Sequence, residues 1–71
     1  MTRDQWLAAF AFATHTEVPT TDDVDALLEL AGVAAHTSDR TAAPITCWMA
    51  AAAGLPPSRA LALARAIQEA N

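Results

Sequence analysis

The chain has 71 residues, of which four are arginine, eight are acidic and none is lysine, so its formal net charge is −4 at pH 7. This balance argues against a nucleic-acid surface, which needs clustered cations, and against an anionic membrane surface. No apolar run reaches the roughly 18 residues of a membrane span, and the N-terminus does not read as a signal peptide. We therefore expect a single cytoplasmic domain. The only cysteine, Cys47, rules out an intramolecular disulfide and is typical of a reducing compartment.

Alanine dominates the apolar composition. Hydrophobic residues make up 54% of the chain, and nineteen of them are alanine. Alanine favours helix strongly and buries little surface, while tyrosine is absent and β-branched residues are scattered. The composition predicts an all-α fold, a compact bundle of four short helices that approach one another closely.

The first two helices have clear start signals. A first helix is predicted over residues 3–14, because Thr2 and Gln5 have the spacing of a capping box. Pro19 breaks the chain after it. A second helix is predicted over residues 22–36, where acidic residues in the first turn favour the helix dipole.

The second half of the chain contains two further helices. Residues 37–41 have the composition of a turn. Pro44 is tolerated only in the first turn of a helix, which predicts a third helix over residues 42–53, with Gly54 as its C-terminal stop. Two prolines then form an extended link before a fourth helix over residues 57–69.

Helical periodicity assigns each helix a face toward the core. The expected core positions are Trp6, Phe10 and Ala13; Val24, Leu27, Leu28, Ala31 and Ala35, with Leu30 at the edge; Ile45, Trp48, Met49 and Ala52; and Ala60, Leu63, Ala64 and Ile67. Cys47 is expected on the far side of its helix. Phe12 and Val33 fall off the core faces.

A chain this short is marginally stable alone and cannot bury all of its large apolar side chains. Clustered exposed apolar groups mark a contact surface. We therefore expect a protein partner or a homo-oligomer, with Phe12 and Val33 on the apolar surface that binds it. The alternative is that these residues are ordinary scattered surface hydrophobics.

One polar corner separates the second and third helices. His36 and Arg40 lie four residues apart across it, and Thr41, Thr46 and the free N–H groups at the start of the third helix could join them in binding a carboxylate or phosphate. The alternative is structural: His36 sits where the helix dipole favours a cation, and Arg40 pairs with Asp39 or Glu29 or caps carbonyl groups.

Other reactive side chains suggest no chemistry. The acids near His36 are too widely spaced for a metal site and are explained by capping. Cys47 has no activating base beside it and is expected to be a packing residue. We expect no catalytic residues, no metal and no cofactor.

The corner also carries a family resemblance. It rests on residues 27–31, 33–36, Arg40, 42–46 and Gly54, together with Trp6 and Leu7 near the start. Over about residues 4–54 this pattern resembles a small bacterial helical domain of unknown function, found alone or fused behind a molybdenum cofactor guanylyltransferase. The helix after Gly54 is less typical and is interpreted as an extension.

The resemblance implies an association with molybdopterin guanine dinucleotide maturation or with a molybdoenzyme such as formate dehydrogenase. It implies no established activity. The leading hypothesis is a non-catalytic accessory module that binds such an enzyme through its apolar residues and the His36–Arg40 corner. The alternative hypothesis is a domain that holds an anionic nucleotide or pterin phosphate at that corner.

Overall fold

The computed structural model describes residues 1–71 and contains four α-helices and no strands. They are α1 (Arg3–Thr14), α2 (Thr21–Thr37), α3 (Ala42–Ala52) and α4 (Pro57–Ala70). The predicted all-α fold is confirmed, and every predicted helix boundary lies within one residue of the observed one.

Local hydrogen bonds explain why the boundaries are so well defined. Thr2 and Gln5 form the expected capping box, in which each side chain accepts a hydrogen bond from the other residue's N–H. Thr20 caps α2 by accepting a hydrogen bond from the Asp23 N–H at 3.1 Å. Pro57 occupies the first turn of α4, where a missing N–H has no consequence.

Helices α1 and α3 end with the same turn. His15 (φ 56°) follows α1 and Gly54 (φ 72°) follows α3, and both adopt the left-handed conformation. After Gly54, the Leu55 N–H donates to the Ala50 carbonyl at 3.0 Å. This is the Schellman arrangement, which satisfies the last carbonyls of a helix and reverses the chain direction.

Helix α2 is the central element, and both α3 and α4 pack against it. The core cluster consists of Leu30, which is 1% exposed, with Ala50, Ala60 and Leu61. Ala50 of α3 and Ala60 of α4 are small and let both helices approach α2 closely, and Leu61 of α4 completes the cluster. An ion pair between Arg65 and Glu29 adds a surface contact between α4 and α2.

The predicted core faces are partly wrong. Leu28, Leu63 and Ile67 are exposed, whereas Leu30, expected at the edge of α2, is the most deeply buried side chain. The prediction of which side of α3 faces the core is also wrong, since Ile45, Trp48 and Met49 are all more than half exposed. Instead, the core side of α3 is Ala50 together with half-buried Cys47.

The error in α3 has a simple cause. Thr46 is the only residue of this helix with a polar side chain, so periodicity of hydrophobicity could not distinguish its faces. Cys47, expected on the far side, packs toward α2 with its Sγ 4.0 Å from the Leu27 carbonyl oxygen. Small groups allow the closer approach, and the larger side chains are left outside.

Helix α1 is set apart from this α2–α3–α4 body. Ala11 is its only buried residue, and Leu7 lines a shallow cleft with Val18 and Val24 beside the link to α2. Trp6 and Phe10 stack on each other with ring centroids 6.0 Å apart and remain 57% and 55% exposed. Their predicted place in the core is therefore wrong.

Candidate functional site

The corner between α2 and α3 is held by its own polar side chains. The Ser38 hydroxyl donates to the Ala34 carbonyl at 2.7 Å and so closes the last turn of α2. Asp39 Oδ1 accepts two hydrogen bonds of 2.8 Å, one from the Thr41 N–H and one from the Thr41 hydroxyl. These bonds fix the path of the chain into α3.

Two of the N–H groups at the start of α3, which were expected to be free, already have partners within the turn. The Ala42 N–H donates to the Asp39 carbonyl at 2.9 Å, and the Ala43 N–H donates to the Arg40 carbonyl at 3.1 Å. Pro44 has no N–H. Tight turn bonds and the Asp39 carboxylate therefore use the backbone donors that the sequence suggested for an anion.

The Asp39 carboxylate also determines the local charge. The two hydrogen bonds from Thr41 lower its pKa below the ordinary aspartate value. It is therefore ionised at neutral pH and lies at the positive end of the α3 dipole, where a bound anion would otherwise sit. An added phosphate at this position would meet a negative charge.

His36 and Arg40 both lie on the surface of the corner. Both side chains are exposed, and neither forms a hydrogen bond or an ion pair within the chain. Asp39 bonds to Thr41 and Glu29 pairs with Arg65, so the internal partners considered for Arg40 are engaged elsewhere. The prediction that His36 and Arg40 bind a partner or ligand stays a prediction.

Thr46, the fourth residue assigned to the corner, lies in a different place. It is half-buried in the wall of a groove between α3 and α4, with α2 as the floor. We call this the α3–α4 groove; it comprises two adjoining cavities of about 360 and 200 Å³. Its main lining residues are Leu30, Val33, Thr37, Ala42, Thr46, Met49, Ala53, Leu55, Ala60, Leu63, Ala64 and Ile67.

The groove is apolar along most of its length and closes against the corner. Met49 forms part of one wall, and Leu63 and Ile67 form the other. At the corner end lies the Thr37 hydroxyl, a buried oxygen without a hydrogen-bond partner. Sequence reasoning missed this groove because its residues come from three helices and share no spacing.

The two residues predicted for an apolar partner surface have different environments. Phe12 is 85% exposed on α1. Val33, expected opposite the core, is half-buried, packs against the core cluster and lines the groove. Its predicted orientation is wrong, because the buried face of α2 is centred on Leu30 rather than on Leu28.

A second apolar surface, absent from the predictions, lies on α3. Ile45 is 59% and Trp48 is 72% exposed, and together with Ala52 they lie opposite the side that packs on α2. We call these three residues the outer α3 face. The available signal in the sequence was that this helix has no charged residue and more large apolar side chains than one packed side can bury.

The chain has a single thiol, that of Cys47, and partial burial raises its pKa. A smaller fraction of this thiol is therefore ionised to the reactive thiolate at neutral pH. No group of three or more His, Cys, Asp or Glu side chains is placed to hold a metal ion. None of the helices combines the length and apolar character needed to cross a membrane.

Comparison with known proteins gives one match. Neither the curated proteins nor the solved structures contain a match to the sequence. A family model, described as a domain of unknown function (DUF6457), matches residues 1–71. The match includes α4, so the residues after Gly54 are part of the domain and not an extension. The protein therefore belongs to the DUF6457 family.

Proposed function

We propose that the protein is a non-catalytic accessory module that binds a larger protein through the outer α3 face and the adjoining His36–Arg40 corner. The observation that carries this proposal is the exposure of Trp48 and Ile45 on α3. Tryptophan is enriched among the residues that dominate binding energy, and it acts best when a partner removes it from water.

The polar residues beside the outer α3 face also support partner binding. Interfaces commonly have an apolar centre and a polar rim, with arginine enriched. Arg40 and His36 are exposed, have no ion-pair partner within the chain and lie at the corner between α2 and α3. Their free donors are therefore available to acceptors on another protein.

The partner class follows from the sequence resemblance. A bacterial domain that is also fused behind a molybdenum cofactor guanylyltransferase would work beside that enzyme or its clients. We propose a molybdoenzyme such as formate dehydrogenase, or a cofactor-maturation enzyme, as the partner, in the cytoplasm. The accessory module would position the partner and supply no chemistry itself.

The alternative, an anionic nucleotide or pterin phosphate held at the corner, has less support. Asp39 occupies the start of α3, and the N–H groups of Thr41, Ala42 and Ala43 are already bonded. The cationic side chains left to bind a phosphate are those of His36 and Arg40. Calorimetry with a guanine nucleotide tests this alternative, which requires that Arg40→Ala abolish binding without changing the thermal midpoint.

The test of the main proposal uses purified guanylyltransferase and purified formate dehydrogenase as titrants in calorimetry. We expect one of them to bind, and Trp48→Ala to weaken binding by on the order of 30-fold, as at an interface hot spot. Leu28→Ala is the matched control, because Leu28 is an exposed apolar residue on α2 away from this face. Equal affinity of the wild type and Trp48→Ala, or no binding of either enzyme, contradicts the proposal.

A further inference from the structure

The chain exposes more surface than a compact domain of its mass. Its accessible surface is 5431 Å² and its mass is 7.4 kDa. A compact monomer of that mass exposes about 4,200 Å², so the excess is about 1,200 Å². The radius of gyration, 12.8 Å, likewise exceeds the roughly 11 Å of a compact domain of this length. An excess of this size is comparable to the area that one subunit contributes to a stable dimer.

Two unpartnered apolar features contribute to this exposed surface. The first is the α3–α4 groove, which is the position that a fourth helix would fill if it packed on α2 between α3 and α4. Its walls, Met49, Leu63 and Ile67, are each about half exposed or more.

The second feature is one side of α1. Trp6, Ala9, Phe10 and Ala13 follow the spacing of a single helical face, which we call the α1 stripe. Leu7 and Ala11 point toward the link with α2, so the stripe faces solvent. The stripe is distinguished by its exposed aromatic pair, Trp6 and Phe10, which stack on each other.

The two features match in length. Helix α1 has 12 residues and α3, which forms one wall of the groove, has 11. At the rise of an α-helix these correspond to about 18 Å and about 16 Å. The link of residues 15–20 places α1 beside the start of α2 and away from its own groove.

Charges at the ends of the two features are complementary. Arg40 precedes Ala42 at one end of the groove, Arg59 precedes Ala60 at the other, and neither arginine forms an ion pair within the chain. At the start of α1, Asp4 is already paired with Arg3, whereas Glu17, after the end of α1, forms no ion pair within the chain. A seated α1 would bring the Glu17 carboxylate near one of the two arginines.

We propose that the protein forms a two-fold symmetric dimer in which the α1 stripe of each copy occupies the α3–α4 groove of the other. A reciprocal contact of this kind closes on itself and leaves no unfilled groove. It leaves the outer α3 face free, whereas Arg40 lies beside both contacts. Trp48→Ala and Phe10→Asp therefore test partner binding and dimerisation separately, because neither residue belongs to the other contact.

The first test is sedimentation equilibrium on the chain from about 1 µM to about 1 mM. We expect a species of about 15 kDa, twice the mass of one chain. Phe10→Asp in the stripe and Ile67→Asp in the groove should each weaken dimerisation by at least about 30-fold. Phe12→Asp is the matched control, since it adds the same charge on the same helix but off the stripe, and it should leave the dimer intact.

A mixing experiment identifies which surfaces meet. Phe10→Asp retains an intact groove and Ile67→Asp retains an intact stripe, so an equimolar mixture can form a heterodimer with one complete contact. We expect the mixture to dimerise more tightly than either variant alone. A wild-type chain that stays monomeric, a dimer unaffected by either substitution, or a mixture without recovery overturns the proposal. Circular dichroism of each variant confirms that the helices are retained.

Discussion

The largest apolar side chains of this chain lie on its surface, and smaller ones form most of the interior of the α2–α3–α4 body. Inside, Leu30 packs with Ala50 and Ala60, and Leu61 is the only other large side chain of the core cluster. Outside, Trp6 and Trp48, the two largest side chains, are more than half exposed. Large apolar residues usually occupy the core of a monomer. We infer that the α2–α3–α4 body is held together by the close approach of its helices. The large exposed side chains are then available for contacts with other chains.

Replacing Leu30 tests the contribution of the buried core and should cause the largest loss of stability. Leu30→Ala removes the only large side chain that is fully buried and leaves a cavity, so it should destabilise the fold by about 2–5 kcal/mol. Trp48→Ala removes a larger but exposed side chain and should change stability by less than about 0.5 kcal/mol. Urea denaturation at one fixed protein concentration measures both. An equal loss for both variants would contradict the comparison.

Replacing a buried alanine with leucine tests whether the close approach of α3 to α2 contributes to stability. Ala50→Leu inserts three carbons between α3 and α2 and should destabilise the fold by about 1–3 kcal/mol through overpacking. Ala52→Leu makes the same change on the exposed side of the same helix and should be close to neutral. Thermal unfolding of the two variants compares them directly. Tolerance of leucine at Ala50 would show that α3 packs loosely.

The two glycines provide a matched pair with smaller and opposite effects. Gly54 has a φ of +72°, so Gly54→Ala should destabilise the turn that returns the chain to α4, by about 1–2 kcal/mol. Gly32 lies inside α2, and an added Cβ there meets nothing within 4 Å. Gly32→Ala should therefore stabilise the protein by about 0.5–1 kcal/mol. Denaturant midpoints report both signs, and a stabilising Gly54→Ala would contradict the turn geometry.

Replacing Asp39 should have the smallest effect on stability, and the size of this effect should depend on pH. Its pKa is lowered in the folded chain, so its contribution to stability is present at neutral pH and is lost as the pH falls from the ordinary aspartate value through the lower pKa of the folded state. Asp39→Asn keeps an acceptor for Thr41 but removes the titrating charge. The wild type should be the more stable protein at neutral pH, and the difference should shrink in acid. Thermal midpoints measured across this range test it, and a difference independent of pH would contradict the assignment.

Much of the fold was readable from the sequence, and the reason is local. Capping by Thr2 and Thr20, the proline at position 57 and the glycine after α3 act within a few residues, so the helix boundaries follow from short patterns. The orientation of α3 is not local. Almost every residue of that helix is apolar, and its packing side depends on which surface allows α2 to come closest.

The candidate site was predictable only in part for the same reason. His36 and Arg40 were identified as exposed polar residues at a helix end, where the structure places them. The engagement of Asp39 with Thr41 and of Glu29 with Arg65 depends on the turn geometry and on α4 packing beside α2. The α3–α4 groove requires three helices to be in place before it exists.

The position of Trp48 is the most direct test of this account, because a core tryptophan would reverse the packing of α3. In a Trp6→Phe variant, Trp48 is the only indole and its fluorescence can be read alone. We predict emission at the wavelength of indole in water and acrylamide quenching nearly as efficient as that of a free tryptophan amide. A blue-shifted emission that acrylamide quenches poorly in the folded protein would place Trp48 in the core and contradict the account.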